Sequence, residues 1–181
     1  MNYKKIQLPL SKAEAHQLRV GEPCLLSGAL YTLRDAGHMR LLDEIGKEGL
    51  LPYGLNGQLI FYAGPTPSKG GRPFGAIGPT TASRMDFATP TLLSRGLTGT
   101  TGKGKRSDAV KQACVDYSSV YFVCTGGVAA LLAKCVVSEE VVAYDDLGTE
   151  ALRRIEVKDF PVFVGIDAQG NDIYDLGGCQ S

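Results

Sequence analysis

The sequence lacks the features that mark nucleic-acid, membrane and metal proteins. Its 19 basic and 19 acidic residues cancel, so no overall field favours nucleic acid or an anionic membrane surface. No apolar run approaches the roughly 20 residues that span a bilayer. His16 and His38 are isolated from each other and from cysteine. We therefore expect no nucleic-acid partner, no membrane partner and no metal ligand in this chain.

Cysteine pairs are also missing, since the five cysteines are widely spaced and form no CxxC motif. An odd number without a recognisable signal peptide favours reduced thiols in a soluble, cytoplasmic protein. Cys114 and Cys124 lie in apolar sequence, where a buried thiol is the usual outcome.

The sequence contains enough hydrophobic residues to form a core, since they make up 44% of its 181 residues. The length favours a single domain over residues 1–181. Strand patterns dominate both ends, and strands and helices alternate in the middle. This arrangement predicts an α+β or layered sheet-plus-helix fold. Strands are predicted at 3–8, 24–33, 59–63, 97–101, 119–124, 136–144, 155–157, 162–166 and 173–176. Helices are predicted from Ser11 and Gly126 and at 34–47, 89–95, 107–117 and 147–152.

The most informative segment is GPTTASRMD, at residues 78–86. Pro79 after a glycine fixes a turn, and Ser83 with Asp86 resembles a capping box. Unpaired N–H groups at such a helix start favour an anion, and Arg84 adds a planar fork for a carboxylate or phosphate. A capped surface helix explains the segment equally well.

A second candidate is Arg34, which stands where a buried strand meets a helix. It could reach into a site while Asp35 holds its guanidinium. A surface ion pair with Asp35 or Glu44 is the alternative. Gly37 inside the predicted helix costs up to about 1 kcal/mol relative to alanine, which indicates a close backbone approach.

A third candidate is Lys103, in the run TGKGKR at residues 101–106. The run lacks the spacing of a phosphate-binding loop, and a solvated basic turn is the alternative. Arg34, Arg84 and Lys103 all follow predicted strands in sequence that contains glycine. If they converge, an anion with about two negative charges would balance them. A small dicarboxylate fits.

Five segments resemble, in sequence and in order, the β chain of iron–sulfur hydro-lyases, the class I fumarate hydratase and L-tartrate dehydratase family. They are LYTLRDAGHMRLLD, LIFYAGPTP, GPTTASRMD, GKGKRSDAV and EVKDFPVFVGIDAQGND. The resemblance covers about residues 5–178. It implies a swivelling domain of β/β/α layers and an α chain, or a fused N-terminal domain, that supplies three cysteines to a [4Fe–4S] cluster. An α2β2 assembly is implied, with no cofactor in this chain.

The resemblance also implies residue roles. Arg34, Arg84 and Lys103 would hold the substrate carboxylates, Thr81 would join the substrate-binding set, and Thr80 would take part in proton transfer. The family often has KGN-Arg where this chain has KGKR, so Lys105 remains an alternative to Lys103. The implied reaction is reversible hydration of fumarate to L-malate. L-tartrate dehydration is the alternative within the family, and a non-catalytic module that binds an organic acid or a protein is the alternative outside it.

Overall fold

The computed structural model describes residues 1–125 and 127–177, apart from the side chains of Lys47 and Glu48. Within them the sheet contains seven strands: β1 (Lys4–Gln7), β2 (Pro23–Thr32), β3 (Leu59–Phe61), β4 (Gly99–Gly102), β5 (Val120–Val123), β6 (Val136–Ala143) and β7 (Leu152–Ile166). The α-helices are α1 (Lys12–Gln17), α2 (Asp35–Glu48), α3 (Thr89–Ser94), α4 (Asp108–Asp116), α5 (Ala129–Ala133) and α6 (Ile173–Leu176). Two 3₁₀ helices cover Ala82–Met85 and Asp145–Glu150. No helix in these ranges is long and apolar enough to cross a membrane.

Five of the strands close into a ring. Strands β2, β3, β4 and β5 are parallel neighbours in that order. The 15-residue β7 runs antiparallel to both β2 and β5 and so joins the two ends. Strand β1 lies outside the ring on β2, and β6 lies outside it on β7. Closure leaves the four parallel strands with paired neighbours on both sides, and the predicted mixed fold of sheet and helices is confirmed.

Successive side chains of the ring strands point to opposite faces, and each face has its own hydrophobic core. On β3, Leu59 and Phe61 belong to one core, while Ile60 belongs to the other. The first core contains the inner residues of β7, and Phe61 packs edge-to-face on Phe160 with ring centroids 5.3 Å apart. The second core packs helices α2, α3 and α4 on the sheet through residues such as Leu41. Helices α2, α3 and α4 therefore cover one face of the ring strands, whereas the buried residues of α1 and α5 belong to the first core.

The ends of several elements differ from the sequence predictions. The predicted strand at 173–176 is wrong: the segment is helix α6, because the Asp172 carboxylate accepts a hydrogen bond from the Tyr174 N–H at 3.0 Å and caps it. The predicted strands at 155–157 and 162–166 are parts of one strand, β7. The Ser11 capping box is confirmed. Gly126 and Cys179 lie outside the described residues.

Gly37 does make the close approach that its place in a helix indicated. A Cβ atom there would lie 2.9 Å from the Glu150 carbonyl oxygen and would collide with the Leu33 side chain. The second 3₁₀ helix therefore packs directly on the first turn of α2. Gly46, in the same helix, has no atom within 4 Å of the corresponding position.

These two glycines give a matched prediction for stability. Gly46→Ala should raise the free energy of unfolding by about 0.5–1 kcal/mol, because alanine favours the helix and the space is open. Gly37→Ala should lower it by about 1–3 kcal/mol through overpacking. Urea unfolding followed by circular dichroism measures both values. Stabilisation by both variants would contradict the packing described for Gly37.

Candidate functional site

The candidate site lies at one edge of the ring, by which we mean the rim formed by the carboxyl ends of the parallel strands. Arg34 follows the end of β2 by two residues, and Lys103 directly follows β4. Strand β3 lies between them and pairs with both β2 and β4. Parallel strands bring the residues that follow them to one edge, which is where ligands of such sheets commonly bind.

Backbone hydrogen bonds hold the segment at 78–86, which contains Thr80 and Thr81, against this edge. The Thr80 N–H donates to the Tyr62 carbonyl at 2.7 Å, and the Ala82 N–H donates to the Lys103 carbonyl at 2.8 Å. Thr81 forms a parallel bridge with Lys103. The structure thus brings Thr80, Thr81 and Lys103 together. After Ser83, the predicted cap, the N–H groups of Arg84 and Asp86 donate to the carbonyls of Thr81 and Ser83 at 3.4 and 3.2 Å. The prediction that the N–H groups of this helix start are unpaired is therefore wrong for these two.

The predicted capping box of Ser83 and Asp86 is also wrong. Residues 82–85 form a 3₁₀ helix whose N-cap residue is Thr81, and its side chain makes no capping hydrogen bond. The Asp86 carboxylate instead accepts a hydrogen bond from Arg106 Nε at 2.6 Å and one from the Ser107 N–H at 2.7 Å. A guanidinium is a stronger partner for a carboxylate than a single backbone N–H, so Asp86 turns away from its own helix.

Arg106 is buried beneath the site and its donors are used internally. Its terminal nitrogens donate to the hydroxyls of Thr100 at 3.0 Å, Thr89 at 2.8 Å and Tyr62 at 3.1 Å. The guanidinium also lies over the rings of Tyr62 and Tyr121, 5.1 and 4.7 Å from their centroids. Burial opposes its charge, but the neighbouring Tyr62 and Asp86 more than compensate and raise the pKa of Arg106. Sequence reasoning missed this role, because no local pattern pairs Arg106 with a residue 20 positions earlier.

Asp35 lies between the other two predicted cations. Its Oδ2 accepts hydrogen bonds from Arg84 Nε at 3.0 Å and contacts Arg84 Nη2 at 2.9 Å. Arg34 Nε lies 4.0 Å from Asp35 Oδ1 and 4.0 Å from Glu150 Oε1. The carboxylate predicted to hold Arg34 therefore binds mainly Arg84. The alternative pairing with Glu44 is wrong, because among the described residues Arg34 pairs with Asp35 and Glu150, while Glu44 accepts hydrogen bonds from Tyr53.

The backbone at Arg34 is fixed by His38, one turn later. Both the backbone N–H and Nδ1 of His38 reach the Arg34 carbonyl, at 2.9 and 2.8 Å. Burial lowers the pKa of His38 to about 4, so the ring is neutral near pH 7 and its Nδ1–H donates. Gly64 leaves room for the side chain, since a Cβ there would lie 3.0 Å from Arg34 Cδ. The spacing of Arg34 and His38 by four residues is the sequence signal for this anchor.

The two lysines of the basic run differ in their surroundings. Lys105 Nζ lies 3.5 Å from Asp175 Oδ1. Among the side chains that the structure describes, none forms an ion pair or hydrogen bond with that of Lys103. Between them, Gly104 donates its N–H to the Tyr174 hydroxyl at 3.2 Å and accepts a hydrogen bond from the Tyr121 hydroxyl at 2.9 Å. The loop is therefore held while the Lys103 ammonium stays available.

The charges at this edge suit an anion. Arg34, Arg84 and Lys103 contribute three positive charges, and Asp35 and Glu150 contribute two negative ones, which leaves one net positive charge.

The described residues contain no group of three or more histidine, cysteine or acidic side chains that could hold a metal. Burial raises the pKa of Cys124, at the end of β5, to about 12, so its thiol stays protonated. The site offers cations and hydroxyls.

Comparison with known proteins identifies the family. A family model described as "Fumarase C-terminus" matches residues 1–177. The chain is 40% identical over 166 residues to "Fumarate hydratase class I, anaerobic" of Escherichia coli (strain K12), covering 90% of this chain and 30% of the relative. It is 36% identical over 173 residues to "Fumarate hydratase 2" of Leishmania major, covering 93% and 30%.

A further relative differs in length. The chain is 35% identical over 172 residues to "Putative L(+)-tartrate dehydratase subunit beta" of Methanocaldococcus jannaschii, covering 92% of this chain and 88% of the relative. The chain thus spans about 30% of the two fumarate hydratases and most of this subunit. The match over nearly the whole sequence, together with these relatives, shows that the chain belongs to the fumarase C-terminus family.

Proposed function

We propose that the chain is the β subunit of a class I iron–sulfur fumarate hydratase, which interconverts fumarate and L-malate. The observation that supports the proposal most is that Arg34 and Lys103 follow strands of one ring at the same edge, where Thr81 pairs with Lys103 and where Asp35 lies between Arg34 and Arg84. Hydratase relatives contain a segment similar to almost all of this chain, which supports the same reaction here.

The cations would bind the two carboxylates of the substrate. The guanidinium groups of Arg34 and Arg84 can each offer paired N–H donors to a carboxylate, and Lys103 adds a compact charge on the neighbouring strand end. The net positive charge of the site attracts a dianion. Cations that are already fixed orient it, because the site does not have to reorganise during the reaction. Thr81, exposed beside Lys103, is proposed to add a hydroxyl contact.

Thr80 is proposed to take part in moving the proton at the carbon next to a carboxylate. Its N–H donates to the Tyr62 carbonyl at 2.7 Å and its carbonyl accepts from the Lys103 N–H at 3.4 Å, so its backbone is fixed next to Lys103. A free threonine hydroxyl is a poor base, and activation by a neighbouring base is the general solution. We propose that the partner subunit supplies that carboxylate.

We propose that the partner carries the iron–sulfur cluster, because the described residues contain no group of three or more histidine, cysteine or acidic side chains that could hold a metal. Cys24, Cys114 and Cys124 are buried in this chain, and burial raises the pKa of each to about 12. The partner's cluster would act as a Lewis acid toward the substrate. The relative named "Putative L(+)-tartrate dehydratase subunit beta" supports an assembly with a partner subunit, for which we propose α2β2 in the cytoplasm.

The ring and its two cores support the finer fold assignment. Strands with one core on each face, and helices α2, α3 and α4 on the outer one, are consistent with β/β/α layers. We propose that residues 1–181 form a single swivelling domain of this type, which could turn against a partner that carries the cluster.

A second candidate is the β subunit of an L-tartrate dehydratase, favoured by the Methanocaldococcus jannaschii relative. The same three cations would hold either four-carbon diacid. A non-catalytic module that binds an organic acid or a protein is the alternative outside the family, and it predicts no cluster-bearing partner.

The proposal is tested by anaerobic co-expression with the neighbouring open reading frame. We expect the two chains to co-purify with iron–sulfur absorption and to hydrate fumarate faster than they dehydrate L-tartrate, measured by ultraviolet absorbance of fumarate and by oxaloacetate formation. Faster turnover of L-tartrate would favour the second candidate. Co-purification of neither iron nor a partner would support the non-catalytic module.

Thr80→Ala tests the proton-transfer role in the same assembly. The variant keeps the backbone hydrogen bond to Tyr62 but loses the hydroxyl, so kcat should fall by about 10²–10⁴-fold, the usual contribution of a positioned proton-transfer group. KM should change far less. Initial rates over a range of fumarate concentrations separate the two constants. An unchanged kcat would contradict the role, and Ser83→Ala, on an exposed neighbouring hydroxyl, is the control.

Lys103→Met and Lys105→Met form a matched pair two residues apart. Because Lys105 is paired with Asp175 and Lys103 has no such partner among the described residues, only Lys103→Met should raise the KM for fumarate. The expected rise is about 10- to 150-fold, from loss of a hydrogen bond to a charged group of about 1.5–3 kcal/mol. The opposite ranking in steady-state kinetics would assign the substrate contact to Lys105.

A further inference from the structure

The two oxygens of Asp35 have different surroundings. Oδ2 is fully engaged with Arg84 Nε and Nη2, at 3.0 and 2.9 Å. Oδ1 is buried and has no hydrogen-bond partner among the described residues, and the buried Arg34 Nε, 4.0 Å away, also has none. Asp35 is the first residue of α2, directly after Arg34. One carboxylate on a fixed helix end therefore faces both guanidinium groups.

We propose that Asp35 is a positioning residue that fixes the orientation of Arg84 and its spacing from Arg34 for substrate binding. This inference rests on the proposed function. Asp35 does not touch the reacting atoms in this account. It acts through Arg84, whose side chain is 51% exposed and has no other ion pair in the part of the chain that the structure describes.

The donor geometry of Arg84 explains how the positioning works. A guanidinium has five N–H donors in a fixed plane. Asp35 Oδ2 occupies the edge formed by Nε and Nη2, which leaves the donors on the far edge, including both of Nη1, for a ligand. A bidentate contact with a substrate carboxylate needs that far edge to point in one direction. Without Asp35, a half-exposed arginine would rotate among its many conformers.

A simple charge argument predicts the opposite effect. Asp35 is negative and lies beside a site for a dianion, so removing its charge should tighten substrate binding if its only effect is repulsion. A purely structural role gives a third expectation: loss of an acidic residue from the first turn of a helix lowers stability and leaves the KM unchanged. The direction of the change in KM separates the three.

The test uses Asp35→Asn and Asp35→Ala in the full assembly with its partner. Asn keeps an acceptor oxygen and the shape of the side chain, whereas Ala removes both. We expect the KM for fumarate to rise about 10- to 150-fold in Asp35→Ala, from loss of a charge-assisted hydrogen bond, and to rise less in Asp35→Asn. The value of kcat at saturating fumarate should fall much less than the KM rises.

Asp108→Ala is the matched control. Asp108 is the first residue of α4, as Asp35 is of α2, and its exposed carboxylate lies 4.0 Å from Lys111. Thermal unfolding of all variants reports any loss of stability. A KM that stays constant or falls in both Asp35 variants would overturn the inference, as would a rise matched by Asp108→Ala. Absence of fumarate and L-tartrate turnover in the wild-type assembly would overturn the proposed function, and the inference with it.

Discussion

The buried ion pair of Arg106 and Asp86 is the constraint on which the site depends. Arg106 Nε lies 2.6 Å from Asp86 Oδ1, and the rest of the guanidinium binds hydroxyls on β4, on α3 and just after β3. Breaking a buried pair leaves an uncompensated charge, which typically costs about 3–5 kcal/mol. The pair therefore holds the end of the segment at 78–86, two residues after Arg84, while backbone hydrogen bonds to Tyr62 and Lys103 hold its middle.

A division of labour among the cations follows from burial. Arg106 has every nitrogen engaged within the core, so it can stabilise the fold but cannot reach a ligand. Arg84 uses one edge for Asp35, and Lys103 is exposed. Exposed ion pairs contribute little to stability, about 0–1 kcal/mol. The charges at the edge are therefore better explained by binding than by folding.

The parts of the site that sequence could predict are those set by strand connectivity. Arg34 and Lys103 each follow a strand, and parallel pairing brings such positions to one edge whatever the side chains do. The capping box of Ser83 and Asp86 could not be judged locally, because its competitor, Arg106, is 20 residues away in sequence. The segment at 173–176 is too short to show a helical period, and only the Asp172 cap decides it. Ring closure depends on β7 pairing with both β2 and β5, which no pattern within β7 reveals.

The exposure of these groups has a consequence for catalysis. Thr81, Arg84 and Lys103 are exposed in this chain, and a pair of unit charges 4 Å apart gains only about 1 kcal/mol in bulk water. The same pair gains about 4 kcal/mol at the lower effective dielectric found near a protein surface. Fixed cations stabilise a charged transition state mainly when water is excluded from the site. Under the proposed function, the partner would supply the cluster and would also cover this edge. By excluding water there, it would strengthen the interaction of Arg84 and Lys103 with the substrate.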